Sequence, residues 1–307
     1  MRYQRVVSGF AVAAAFVLTG TACSSGGTAG AGTAPADPAA AGARAQGLTA
    51  LAKMTAPQAV AQTTKAVTAR QSVKMHMVVT MPSLTETADG AMNYGGDVKA
   101  DVTMTMSSTD PKAGALFAKM GTMEMRIIGS VGYVDMGKDP EFADAFHGKP
   151  WVKVDFGQVD KVPALKSFSY LKDMTKNQDP GAQLDALLAS PDLKLVGTEQ
   201  RAGVQALHYS GVVSPDDVLS ATKAGSGLTQ QDLDSAKALM QQSGATKADF
   251  DLWIGGDGLP VAITFSEDTK AGKVSGDVSY SDWGAPVAPT APPADQTADL
   301  VQILGGH

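Results

Sequence analysis

One thiol, four histidines and a few paired carboxylates are the side chains of this 307-residue chain that could carry chemistry. Cys23 is the only cysteine, so it is neither half of an intrachain disulfide nor part of a multi-cysteine metal site. It stands at the border of an export signal. Arg2 and Arg5 supply a positive flank, Val6 to Leu18 form an apolar run too short to span a bilayer, and Gly20, Thr21 and Ala22 lead into the cysteine. None of His76, His147, His208 and His307 falls in an H-x-E, H-E-x-x-H or H-x-H arrangement that would set ligands or a base at working distance. Asp249/Asp251 alternate along a strand signal beside Trp253, and Asp216/Asp217 sit where a helix's first turn favours acidic groups. Gly255-Gly256-Asp257-Gly258 carries no lysine and lies between strand signals, so it reads as a hairpin turn and not as a phosphate cradle. With no G-x-S-x-G elbow either, the expectation is a protein without catalytic residues, metal or cofactor.

The segment around Cys23 resembles the bacterial lipobox, in which small residues precede a cysteine that is diacylated and becomes the new N-terminus. The lipobox pattern prefers Leu three residues before the cysteine; here Gly20 holds that place and Leu18 lies two positions upstream. Two acyl chains are what stable anchoring requires. The resemblance therefore implies a domain exported and held at the outer face of the cell membrane through acylated Cys23. Removing residues 1–22 takes away two arginines and no acidic group, which moves the formal charge from −6 to −8. Such a balance argues against nucleic acid as a partner and against charge-driven adhesion to anionic lipid.

The elements that must position any site follow from the patterning. Residues 24–47 are Ser/Gly/Ala/Pro-rich without apolar periodicity and read as a flexible tether. A coil of that length would separate domain from anchor by ~25–30 Å. This divides the chain into a signal peptide at 1–22, lipidated Cys23 and tether at 23–47, and a domain with a short C-terminal tail at 48–307. Thr55 caps a helical signal with Val60, Thr64 and Val67 at helical spacing. In Val73–Met81 and Val98–Met106 apolar and polar residues alternate, giving each strand one apolar and one wet face. Further strands are expected at Met123–Gly129, Val131–Met136, Trp151–Phe156, Leu193–Val196, Ala206–Val213, Asp249–Ile254, Val261–Ser266 and Lys273–Tyr280. Helices are expected at Lys112–Met120, near Pro163–Lys172, and at Gly181–Ala189, Asp216–Lys223 and Gln230–Gln242. Three of them open on Asp-Pro or Ser-Pro, where the first residue caps and proline takes the first helical position. This order suggests α+β, with helices on one side of a single antiparallel sheet.

Ten of the fourteen methionines fall between Met75 and Met136. Methionine is flexible and polarizable, suits surfaces that adapt to variable partners and specifies a rigid core poorly. Their concentration on neighbouring strands marks Met75, Met77, Val79, Val102, Met104, Met106, Met123 and Met125 as candidate lining of a deformable apolar cavity. Gap-filling in an ordinary core is the plainer account of any one of them.

Several segments resemble the actinobacterial LppX/LprG-type lipoproteins, with a LolA/LolB-like fold. They are Gly129-Ser130-Val131-Gly132-Tyr133-Val134-Asp135, Lys149-Pro150-Trp151-Val152-Lys153-Val154-Asp155, Asp179-Pro180 with Leu184 and Leu187, and Val196-Gly197-Thr198-Glu199 with Gly203-Val204 and His208-Tyr209. Leu252-Trp253-Ile254 with Gly258-Leu259-Pro260 and the closing Tyr280–Val287 complete the set. The resemblance implies a strongly curved antiparallel half-barrel whose concave apolar face is covered by helices. It also implies binding and movement of lipids or lipidated molecules in the envelope, with an envelope transporter as a further partner. No headgroup-binding residue carries over. Trp151, Trp253 and Trp283 could frame such a cavity or anchor strand ends. A peptide or polyketide-like hydrophobe would use the same cavity, whereas a structural or signalling lipoprotein would have a filled core.

Overall fold

The computed structural model describes residues 38–135, 146–159, 190–214 and 247–305, together with Leu184, Leu187, Leu188, Asp217 and Gly244. Cys23 and most of the four helices expected between residues 163 and 242 lie outside these residues. In chain order the elements are α1 (Pro38–Leu51), α2 (Ala56–Arg70), β1 (Ser72–Met81), β2 (Leu84–Asn93), β3 (Lys99–Ser108), α3 (Pro111–Met120), β4 (Met123–Ile128), β5 (Val131–Asp135) and β6 (Trp151–Asp155). They continue with β7 (Lys194–Arg201), β8 (Val204–Val213), β9 (Ala248–Gly255), β10 (Pro260–Thr269), β11 (Gly272–Ser281), β12 (Thr297–Asp299) and α4 (Leu300–Gly305).

The chain divides into two compact units. Unit 1 holds α1, α2 and β7 to β11; unit 2 holds β1 to β6, α3, β12 and α4. In unit 2 the strand order is β12-β6-β5-β4-β3-β2-β1, antiparallel throughout except for β12 beside β6. In unit 1 it is β11-β10-β9-β8-β7, all antiparallel. The chain is α+β on antiparallel pairing, as its patterning requires.

Local chemistry sets the element ends. Thr55 and Gln58 exchange bonds, the Thr55 amide donating to Gln58 Oε1 at 3.1 Å and the Gln58 amide to Thr55 Oγ1 at 3.4 Å, so α2 starts on a capping box. Asp110 Oδ1 accepts from the amides of Lys112 and Ala113 at 3.0 and 2.8 Å, and Pro111 follows as first residue of α3. Ser214 and Asp217 bond reciprocally at the start of the next expected helix. The hairpin reading of Gly255-Gly256-Asp257-Gly258 holds: Gly258 N donates to Gly255 O, Gly255 N to Leu259 O, and Gly258 sits at φ 76°.

Two expectations need correction. The tether does not extend to residue 47, because α1 begins at Pro38 and runs through its last ten residues. The reason is tertiary. Gly47 and Gly256 bring α1 against the β9–β10 turn, so closely that a Cβ on Gly47 would meet Gly256 O at 1.7 Å. Leu48 and Leu51 beside it are buried. The second correction is β2, a ten-residue strand with no counterpart in the expected set, and β12 adds a short twelfth.

Candidate functional site

The registers of β1 to β4 place all eight candidate residues on one face of unit 2. Five rows run across it: Val73, Met92, Ala100 and Ile127; Met75, Gly90, Val102 and Met125; Met77, Ala88, Met104 and Met123; Val79, Glu86 and Met106; and Met81, Leu84 and Ser108. Val134 and Val152 extend the second row onto β5 and β6. Lys74, Asp101 and Thr103 fall on the opposite face, as the alternation in β1 and β3 demands. Burial follows the same parity, since Val73, Met75, Met77 and Val79 are buried while Lys74, His76 and Thr80 are exposed. Met104, Met106 and Met125 are half-buried.

The relief of this face is uneven in a useful way. β2 contributes only Ala88 and Gly90 at its middle, between the taller Met75 and Met77 of β1 and Val102 and Met104 of β3. The result is a row of small side chains flanked by flexible ones and ended by Met92, which is fully buried. Ala88 is fully buried. The other end carries Glu86, half-buried between Val79 and Met106. Burial pushes its carboxyl above the usual carboxylate range. None of the strand positions that pair across this face is Lys or Arg.

Unit 1 fills its apolar face differently. Phe265 lies over Gly276 directly across from it, and Phe250 over Gly211; a Cβ on those glycines would come within 2.1 and 2.6 Å of the rings. Leu252, Ile254 and Leu207 are buried beside them. Rigid aromatics seated on glycines make a packed core. One polar atom is stranded in it: Tyr209 is 0 % exposed and its hydroxyl has no hydrogen-bond partner among the described residues. A buried unpaired hydroxyl costs about 1–3 kcal/mol. Tyr209→Phe is therefore expected to raise stability by about 1 kcal/mol. Urea unfolding would read this as a higher midpoint at unchanged slope, and a lower midpoint would mean that ordered water satisfies the hydroxyl.

His76, His208 and the Asp249/Asp251 pair end up on the opposite, polar faces. In unit 1, His208 Nδ1 lies 3.0 Å from Glu199 and Nε2 2.7 Å from Asp251. Trp253 stacks on the imidazole at 4.5 Å and donates from Nε1 to Glu199 at 3.2 Å. Arg201 covers the indole at 4.8 Å and pairs with Asp277. The bonds from His208 and Trp253 hold the Glu199 carboxyl below its usual range. That contribution to stability is present above the ordinary carboxylate pKa and fades as pH falls through the lowered one. Both ring nitrogens of His208 face carboxylates, so neither is left to act as a base toward a third group. His76 pairs with Asp89 at 2.7 Å in an exposed position. Among the described residues no group of three His, Cys, Asp or Glu could hold a metal ion.

Trp151 and Trp253 do not share the methionine face. Trp253 belongs to the His208 cluster, and Trp151 lies under Arg126 at 4.9 Å on the side that carries Glu124 and Asp101. A row of cross-strand partners determines this, and no linear motif announced either cluster.

No family model matches the chain. It is 32 % identical over 184 residues to an uncharacterised 31.2 kDa protein of Streptomyces griseus, covering 60 % of this chain and 58 % of that one. It is 26 % identical over 222 residues to a Streptomyces coelicolor protein provisionally named a lipoprotein, covering 72 % of this chain and 66 % of that one. The matched part thus spans less than two thirds of either relative's length. Among solved structures, the Mycobacterium tuberculosis lipoprotein LppX is similar at a TM-score of 0.44 and 16 % identity, over 76 % of this chain and 97 % of that one. That superposition is loose, and the α+β assignment rests on the strand pairing described above.

Proposed function

We propose that this chain is an envelope lipoprotein, anchored at the outer face of the cell membrane through Cys23, that binds a lipid or other hydrophobic ligand on the methionine face of unit 2 and carries or presents it. The observation that carries the reading is the placement of Ala88 and Gly90 between methionines of the flanking strands, which we read as the floor and walls of a trough. An ordinary sheet core would place bulky β-branched or aromatic side chains at its centre, as unit 1 does with Phe250 and Phe265. Unbranched thioethers can swing aside with little strain, and an acyl chain can take the space they vacate. The export signal, the similarity to a Streptomyces lipoprotein and the resemblance to LppX/LprG-type proteins support the same reading. A structural or signalling lipoprotein with a filled core is the competing account, and the aromatic packing of unit 1 is what favours it.

The experiment is native mass spectrometry of the mature protein purified from a lipid-containing envelope, followed by organic extraction of whatever is bound. The expected result is a discrete mass adduct that disappears on extraction and returns when the stripped protein is offered lipid vesicles. A protein that emerges bare and takes up nothing from vesicles has a filled core.

A further inference from the structure

Glu86 is out of place by every local rule of its strand. On β2 the polar side chains Thr85, Thr87 and Asp89 lie on one face, and Leu84, Ala88, Gly90 and Met92 on the other. Glu86 belongs by parity to the second, directly across from Val79 on β1 and Met106 on β3. The register of a ten-residue strand paired on both sides cannot slip to move it, because a slip would turn Ala88 and Met92 out with it. Among the described residues nothing on its own side pairs with it. The neighbouring positions on β1 are Met77 and Met81, those on β3 are Met104 and Ser108, and no ion pair or hydrogen bond reaches the carboxyl among the described residues. A carboxyl kept on an apolar face without a partner is costly to the free protein. Stability gains nothing from it, so its use must arise when something else occupies the trough.

Building on the carrier reading, we propose that Glu86 selects ligands by the charge of their polar end: its carboxyl accepts a hydrogen bond from a hydroxyl or ammonium group and turns away a head bearing negative charge. Charge complementarity commits the occupant. An anionic head beside a carboxylate in a partly desolvated site is repelled more strongly than in water, and the face has no strand-borne Lys or Arg to offset it. A hydroxyl or ammonium instead gives the carboxyl the partner that the protein withholds. Unit 1 shows the same charge pattern independently. Its apolar face ends on the half-buried Glu267, opposite Val274 and Ala248, with no Lys or Arg at the paired positions of that face.

The test uses the delipidated mature protein and three probes with one fluorescent acyl chain in common: diacylglycerol, its methyl ether, and phosphatidylglycerol. The wild type should bind diacylglycerol about tenfold more tightly than phosphatidylglycerol, a modest fraction of the unscreened repulsion. Glu86→Gln keeps the hydrogen-bonding shape and removes the charge, so phosphatidylglycerol should gain most of that tenfold while diacylglycerol changes little. Glu86→Leu should lose the preference for diacylglycerol over its methyl ether. Thermal unfolding checks the variants, and Glu86→Gln should unfold no lower than wild type, because it removes a desolvated carboxyl. Equal probe ratios in wild type and Glu86→Gln would overturn the proposal and leave the carrier reading standing. A wild type that binds none of the probes would overturn both. A marked loss of stability in Glu86→Gln would make Glu86 a structural group and end the proposal.

Discussion

Met104→Trp is expected to cut transfer of a fluorescent lipid between vesicles by at least about tenfold while the ligand-stripped protein unfolds within a few degrees of wild type. Met104 is half-buried on the wall of the trough, paired with Ala88 on one side and Met123 on the other, so an indole there projects over the floor. In a filled core the same substitution forces off-rotamer side chains, and overpacking typically costs about 1–3 kcal/mol. In a trough the indole lies where the acyl chain would lie, and the loss falls on binding. Met77→Trp should act the same way from the β1 wall, with a larger stability component because Met77 is 1 % exposed. Thr105→Trp is the control, since Thr105 is exposed on the opposite face of the same strand. Unchanged transfer with a large fall in stability at Met77 and Met104 would make these methionines ordinary core.

Cys23→Ser should release the protein from the membrane altogether. No helix of the described residues is long and apolar enough to cross a bilayer. On the proposed reading the two acyl chains of a diacylglyceryl group carry all of the attachment, and a serine hydroxyl cannot take them. The variant should appear in the medium or the soluble envelope fraction, without incorporating labelled palmitate, and with unit 2 still able to bind lipid. Palmitate labelling of Cys23→Ser, or retention on membranes washed in high salt, would show that the anchor lies elsewhere.

Several features of this fold are legible without any partner strand, because the interactions that set them are local. The alternation in β1 and β3 fixes which side chains share a face. The capping boxes at Thr55 and Ser214, the Asp110 cap and the β9–β10 turn each depend on residues within a few positions of one another. The export signal expected before Cys23 is likewise read from contiguous residues, and the methionine concentration from a stretch of neighbouring strands.

Tertiary structure decided the rest. Leu84–Asn93 gives little strand signal, being built largely of Thr, Ala, Gly, Asp and Glu, yet it becomes a strand because β1 and β3 supply ladders on both sides. That pairing sets Ala88 and Gly90 between the methionines and places Glu86 on the same face, neither of which follows from composition. His208 meets Glu199 and Asp251 from 9 and 43 residues away, and α1 is ordered through residues that look like a tether because Gly47 and Gly256 allow two backbones to meet. Periodicity tells a strand which of its faces is apolar. Which residues stand opposite, and therefore whether that face is filled or left as a trough, is set by register between strands distant in sequence, where the free energy lies in contacts that no single segment contains.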